Sequence, residues 1–305
     1  MRIGLNGSSL IALGAPLSQI VDHAAEAEAA GFTSYWVAQL AVPDALTAIA
    51  LMGANTSTIE IGTAVIPTWL RHPLMLAGQA LTTQEAIGNR LTLGIGLAHQ
   101  SMIEDTLKMA WKTPAKHMDE YLSVLLPAMT DRKVSFTGDI WSAEVEGVAG
   151  APTATAPSVM LAAMGPRMLR IAGARTDGTI LWLAGPKAIE TSIKPALDAA
   201  AAEAGRPSPR IVASVPVCVA KDPDGVRGIV ASFLAGYNDL PSYRGVMDTE
   251  GAGGPADVSL IGTADEVRAG IEAFAAAGCT DFTPVELTLD PDDAKATREL
   301  LVSML

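Results

Sequence analysis

The sequence predicts an α/β fold: a closed (β/α)8 barrel, with eight parallel strands each followed by a helix. Short β-branched runs alternate with alanine-rich helical stretches along the chain, the pattern of repeated βα units. A helix, glycine, strand sequence recurs in AEAEAAGFTSYWV (25–37), LRIAGARTDGTILWL (169–183) and IEAFAAAGCTDFTPV (271–285). In the first and last of these, Gly31 and Gly278 stand where a helix C-terminus wants a left-handed residue. The length of 305 residues suits one such barrel with insertions.

In chain order the strands are RIGLNG (2–7), SYWVAQ (34–39), IEIGTAVIP (59–67), RLTLGIGL (90–97), SVMLAAM (158–164), GTILWL (178–183), RIVASVPVCVA (210–220) and DFTPVEL (281–287). Helices are expected near 16–30, 44–54, 73–87, 115–129, 166–175, 186–204, 224–237 and 264–277, with a last one over 291–304. Two stretches resist the alternation within this single 1–305 barrel. Residues 131–157 read as an excursion with a hairpin. Residues 238–262 are too long for an ordinary connection and read as a lid or as disorder.

Composition narrows the function. The chain carries a net charge of −12 and an isoelectric point near 4.7, without basic clusters interleaved with aromatics, so nucleic acid and anionic membranes are poor partners. Mean hydropathy is +0.30, yet no apolar run reaches the roughly 20 residues of a membrane helix. The N-terminus enters a strand at once with no signal-peptide pattern, which predicts a cytoplasmic protein. Cys218 and Cys279, the only cysteines, read as buried thiols.

Barrel ligands sit at the C-terminal ends of the strands, so the candidate site residues are those at the exits: Asn6 and Ser8, Gln39, Val65 to Trp69, Gly96 to Gln100, Ala163 to Arg167, and Trp182 to Gly185. Gly94-Ile95-Gly96-Leu97-Ala98-His99 approaches a dinucleotide fingerprint. His99 replaces its third glycine and the glycines lie inside a strand, which rejects a Rossmann site. Small residues for barrel packing and close approach of a ligand both explain Gly94 and Gly96. Gly165-Pro166 opens a helix at a strand exit, where free N–H groups and Arg167 form a natural phosphate seat; a plain turn with a solvated arginine is the competing reading. His23, His72, His99 and His117 show no zinc spacing, and no G-x-S-x-G elbow is present. His23 and His117 are expected to face solvent, His72 to be structural, and His99, at a strand exit, to be functional.

The stretches IGTAVIPTWLRHPLMLAGQALTTQEAIGNRLTLGIGLAHQ (61–100), MLAAMGPRMLRIAGARTDGTILWLAGP (160–186) and SLIGTADEVRAGIEAFAAAGCTDFTPV (259–285) resemble the luciferase-like monooxygenase superfamily. The resemblance is closest to its branch that uses the 8-hydroxy-5-deazaflavin coenzyme. It implies a third strand ending in a bulge at Ala64-Val65-Ile66, often with a cis peptide, that supports the coenzyme ring. It implies that Gly94, Gly96, Leu97, His99 and Gln100 lie along the ring and ribityl chain, and that Gly165, Pro166, Arg167 and Met168, next to Ala163 and Met164, hold its phosphate. On this view the glycines give the coenzyme room. Asn6 belongs to the same cofactor-binding set, and His99 and Gln39 are the catalytic candidates.

Members of that branch commonly carry an acidic residue and a histidine at the end of strand 2, where this chain has Gln39-Leu40, and glutamine cannot titrate. The implied reaction is therefore hydride transfer between the reduced deazaflavin and a small organic substrate such as an activated alkene or imine, with His99 a candidate proton source. The alternatives are an FMN-dependent monooxygenase or reductase, with a flavin reductase supplying reduced coenzyme, and a coenzyme-binding protein without turnover. The resemblance also implies a homodimer through helices 2 and 3; ALTAIALMGA (45–54) suits that, and equally suits a buried helix face.

Overall fold

A computed structural model describes residues 1–288 and 290–305. Strand β1 comes in two pieces, Arg2–Ile3 and Leu5–Asn6. After it come β2 (Ser34–Val37), β3 (Glu60–Thr63), β4 (Leu91–Gly96) and β5 (Ser158–Ala162). The last three are β6 (Gly178–Trp182), β7 (Arg210–Ser214) and β8 (Asp281–Phe282). Each pairs in parallel with the next. The second piece of β1 bonds to β2 and the first to β8, through Leu5↔Tyr35 and Arg2↔Asp281. That closes the ring of eight.

Strand boundaries differ from expectation where the backbone loses a donor or bulges. The run 59–67 breaks after Thr63 and resumes at Ile66–Pro67, which pairs with β4. The run 210–220 breaks before Pro216, and the run 281–287 breaks around Pro284. Proline cannot donate to a ladder. Beyond the breaks, Pro216–Val219 and Val285–Glu286 join Leu260–Gly262 in a three-stranded sheet outside the barrel. That third strand lies in the stretch read as a lid or disorder, which is in fact ordered: a short 3-10 turn over Ala235–Asp239 leads into a helix over Pro241–Glu250, ended by Gly251 at φ 78°. The expected hairpin in 131–157 is present, Val134–Thr137 against Ser142–Val145.

Two layers build the core. Helices pack their apolar stripes on the outside of the strands, as the helix over Ala45–Ala54 does with Leu46, Ile49 and Met52 fully buried. That accounts for most of the apolar run 45–54 within one chain. Inside the barrel, Arg2, Glu60, Thr92, Arg210 and Asp281 fill the N-terminal end. Arg2 and Arg210 each bond both carboxylates; Arg2 to Glu60 and Arg210 to Asp281 are both 2.9 Å. Thr92 donates to Glu60 at 2.6 Å. Burial works to raise the Asp281 pKa, but the hydrogen bond and charge of Arg210, with Thr280 and Arg2, outweigh it and hold the carboxyl below its usual value. Above this plug Trp36, Met160, Ile180 and Val212 pack as one cluster, with Ala64 and Val65 resting on it.

Candidate active site

Alternation along the strands gives the residues at the C-terminal end of the barrel interior: Asn6, Ala38, Ala64, Gly96, Ala162, Trp182, Ser214 and Thr283. All but Trp182 are small. Ala38, Ala64, Val65, Ala162 and Trp182 are half-buried, so the barrel ends in a shallow, mostly apolar floor.

The expected bulge is present, with a cis peptide between Ala64 and Val65. The expectation that glycines clear space for a coenzyme is corrected. A Cβ on Gly94 would lie 2.5 Å from Ile180 Cδ1 and closer still to the Thr63 carbonyl oxygen, and one on Gly96 would lie 2.7 Å from Val65 Cγ2 and 3.2 Å from Ala162 Cβ. Protein atoms fill that space. The glycines let β4 close against the bulge and against the packed interior.

Several expected polar contacts are already committed within the chain. Asn6 donates to Ser214 Oγ at 3.2 Å and accepts from the Ser8 N–H at 3.0 Å and hydroxyl at 2.5 Å. Gln39 accepts from Ala45 N–H at 2.8 Å and donates to the Leu40 carbonyl at 2.8 Å, so its amide pins the start of the following helix. Gln100 is exposed and donates to Glu104 at 2.8 Å. These three residues stabilise the strand exits; their amides are not turned free into the mouth.

His99 is placed differently. Ala98, at φ 62°, turns the chain sharply out of β4, and Leu97, Ala98 and His99 are half-buried. The His99 ring meets Tyr237 and Tyr243 edge-on, each with centroids 5.7 Å away. Those tyrosines are 4.7 Å apart, and Tyr237 also approaches Trp182 at 6.4 Å. The segment after the helix over Pro223–Phe233 therefore folds back and spans the exits of β4 and β6. Burial alone lowers the His99 pKa, so its imidazole is neutral near pH 7. Burial raises both tyrosine hydroxyls.

At the β5 exit Ala163 is buried and donates its N–H to Thr179 at 3.2 Å, while Met164 and Met168 pack on the core. The helix over Pro166–Arg175 begins at Gly165 with no side-chain cap and no acidic residue in its first turn. A Cβ on Gly165 would meet nothing within 4 Å, and Arg167 is exposed. The β6 exit repeats Gly-Pro at Gly185–Pro186, but there Glu250 accepts from Ala188 N–H at 2.6 Å, and its Cδ sits 2.6 Å from where a Gly185 Cβ would be. Of two similar helix starts, one is closed by a carboxylate of the chain and the other is open, with N–H groups available to an anion.

The histidine expectations divide. His72 caps its helix by accepting from Leu74 N–H at 3.2 Å. His23 is not simply solvated: it lies 2.8 Å from the Tyr35 hydroxyl and 2.7 Å from Arg298, which also binds Glu286. His117 is fully buried, contrary to the solvent-facing expectation. Its Nδ1 accepts from the Trp141 indole at 3.3 Å, which leaves Nε2–H to donate to Thr68 Oγ at 2.9 Å; Thr68 in turn donates to the Gly96 carbonyl at 3.2 Å. Burial pushes its pKa down to about 4, against the nearby Glu120 charge. This chain of bonds ties the 134–145 hairpin to the exits of β3 and β4. Neither it nor the tyrosine pair had a sequence signal beyond the length of the excursions that carry them. Among the described residues no group of three His, Cys, Asp or Glu side chains forms a metal site, and no helix is long and apolar enough to cross a membrane.

The family model for luciferase-like monooxygenases matches residues 4–281. The chain belongs to this family. It is 26% identical over 240 residues, 76% of this chain and 72% of the relative, to the 5,10-methylenetetrahydromethanopterin reductase of Methanolobus tindarius. The luciferase-like fold is shared with the coenzyme F420 dependent tetrahydromethanopterin reductase from Methanopyrus kandleri, at TM-score 0.81 and 21% identity over 99% of this chain and 96% of that one. It is shared too with the oxygenating constituent of 3,6-diketocamphane monooxygenase from Pseudomonas putida, in complex with FMN, at TM-score 0.74 and 20% identity over 99% and 96%. The family's relatives thus include both deazaflavin-dependent oxidoreductases and FMN monooxygenases.

Proposed function

We propose that this luciferase-like protein is a cytoplasmic deazaflavin-dependent oxidoreductase that exchanges hydride with a small organic substrate, an activated alkene or an imine. One juxtaposition carries the reading: a shallow apolar floor over the Ala64–Val65 bulge, flanked by an open helix start at Gly165. A flat ring fits the first and a phosphate the second. A 26% identical relative matched over 68% of this chain, the F420-dependent glucose-6-phosphate dehydrogenase of Microbacterium testaceum, favours that coenzyme over FMN.

In this reading Ala64 and Val65, backed by the fully buried Ile66, would support the ring, and Leu97, Ala98 and His99 would border it. The N–H groups of Arg167 and Met168, with the Arg167 guanidinium, hold the phosphate. The bound coenzyme supplies the hydride donor or acceptor carbon. Neutral His99 keeps one donor and one acceptor nitrogen for hydrogen bonding or for moving a proton. Gln39 cannot titrate and is bound to the Ala45 N–H, so it supplies no general base at the β2 exit. Tyr237 and Tyr243 exclude water above His99.

Titration of coenzyme-free protein with the deazaflavin coenzyme and separately with FMN, read by quenching of the five tryptophans, tests the proposal. Selective deazaflavin binding supports it. A preference for FMN moves the reading to oxygen-dependent chemistry served by a flavin reductase.

A further inference from the structure

The loops that follow β3 and β4 carry an aromatic arrangement that the proposed coenzyme contacts do not use. Trp69 follows the Ile66–Pro67 segment, and Trp111 lies in the loop that leads to the helix over Pro114–Thr130. Their rings are 5.4 Å apart and tilted by 33°. Trp69 also stacks on His117 at 3.8 Å, whose two nitrogens are already occupied by Thr68 and Trp141.

The Trp69 indole N–H is buried and has no acceptor among the described residues. A buried donor without a partner costs about 1–3 kcal/mol, and tryptophan in such places normally finds one. The same loops expose Leu70, Leu107 and Met109. Of the nearby charges, Arg71 is paired with Asp44, Glu104 accepts a hydrogen bond from Gln100, and Asp105, Lys108 and Lys112 lie exposed. What this side of the mouth offers is aromatic and apolar surface, with one buried and unpaired hydrogen-bond donor beneath it.

We propose that Trp69 and Trp111 recognise the substrate: an uncharged organic molecule with a flat apolar face and a carbonyl-type oxygen, which accepts the hydrogen bond from Trp69 Nε1. This rests on the barrel mouth being the active site. It gives the two indoles no role in binding a carboxylate or phosphate. It also assigns the acceptor oxygen of an activated alkene to a donor outside the coenzyme contacts.

The test uses the full chain labelled with 15N, whose tryptophans give one indole N–H signal each, with the Trp69 signal assigned by Trp69→Phe. The probes are 2-cyclohexen-1-one and, as a charged counterpart of similar size, crotonate. The expected result is a saturable shift of the Trp69 signal with cyclohexenone and none with crotonate. Trp69→Phe keeps a ring on His117 and should bind cyclohexenone about fivefold more weakly, the loss of one neutral hydrogen bond. Should that variant not fold, Trp111→Leu serves in its place, with weaker binding expected and the Trp69 signal found by elimination among the other tryptophan variants. An unmoved Trp69 signal, unchanged affinity in either variant, or an equal response to crotonate overturns the proposal. Coenzyme binding is titrated in parallel samples. Its failure alongside a responding Trp69 signal sinks the deazaflavin reading and leaves this inference standing, while the converse result sinks this inference alone.

Discussion

The ring of His99, at the exit of β4, lies edge-on to Tyr243, with centroids 5.7 Å and planes 65° apart. The contact joins residues 144 positions apart and holds the helix over Pro241–Glu250 against the barrel mouth. Each edge-to-face pair of this kind contributes about 0.5–1.5 kcal/mol, and Tyr243 makes two, with His99 and Tyr237. Tyr243→Ala should therefore loosen the segment before the barrel. Hydrogen exchange within 241–250 should rise by one to two orders of magnitude, with the β-strand amides unchanged. Equal protection in the variant would show that Glu250 and the apolar contacts hold the segment without the tyrosine.

Removing the ring on the other side isolates a functional role for His99. His99→Ala should leave the melting temperature within a few degrees of wild type and weaken coenzyme affinity or turnover about tenfold. Unchanged affinity and turnover would take His99 out of the site.

Gly94 makes a prediction of the opposite kind, about packing alone. An alanine there meets the Thr63 carbonyl, a backbone atom that cannot move aside, and Ile180. Gly94→Ala should cost about 1–3 kcal/mol by overpacking, measured by chemical denaturation. Gly96→Ala meets the side chains of Val65 and Ala162 instead, so it should be milder for stability and should act on coenzyme affinity by shifting the bulge.

These two glycines show what the sequence could and could not convey. Their place in a strand was legible from the alternation around them, and so were the barrel and the helix opening at Gly165-Pro166, whereas the bulge at Ala64-Val65-Ile66 was implied only by the family resemblance. What Gly94 and Gly96 make room for depends on Ile180, Val65 and Ala162, which come from other strands, and no local pattern encodes that. Asn6, Gln39 and Gln100 were placed correctly at strand exits, yet their hydrogen bonds run to Ser214, Ala45 and Glu104, so position did not determine availability. His117 looked like one polar residue on an amphipathic helix. Its burial follows from Thr68 and Trp141 supplying partners for both nitrogens. Pro216 and Pro284 did mark breaks, but only pairing with Leu260–Gly262 reveals the outer sheet.

His117 gives a pH dependence with a definite sign. Its folded pKa, about 4, lies below the unfolded value of about 6.5. Between those values the unfolded chain binds the proton more readily, so stability is full above about pH 6.5 and falls as the pH drops toward 4. Thermal unfolding across pH 8 to 4 should show a plateau and then a decline, and His117→Asn should flatten the part between 6.5 and 4.5 at the cost of lower stability throughout. An identical pH profile in the variant would assign the decline to His99, which burial shifts in the same direction, or to the carboxylates.

The open helix start at Gly165 yields the last prediction. If Arg167 and the first-turn N–H groups hold the coenzyme phosphate, Arg167→Ala removes a charge-assisted hydrogen bond worth about 1.5–3 kcal/mol. Coenzyme affinity should fall about tenfold to a hundredfold without loss of stability, since Arg167 is exposed. The wild-type affinity should weaken with added salt, and the variant should respond less. Lys187, in the first turn at the other Gly-Pro start, provides the control. Glu250 closes that helix end, so Lys187→Ala should leave affinity unchanged. A loss of affinity at Lys187 equal to that at Arg167 would mean that the phosphate is held between the two helix starts, and that Glu250 must move for the coenzyme to bind.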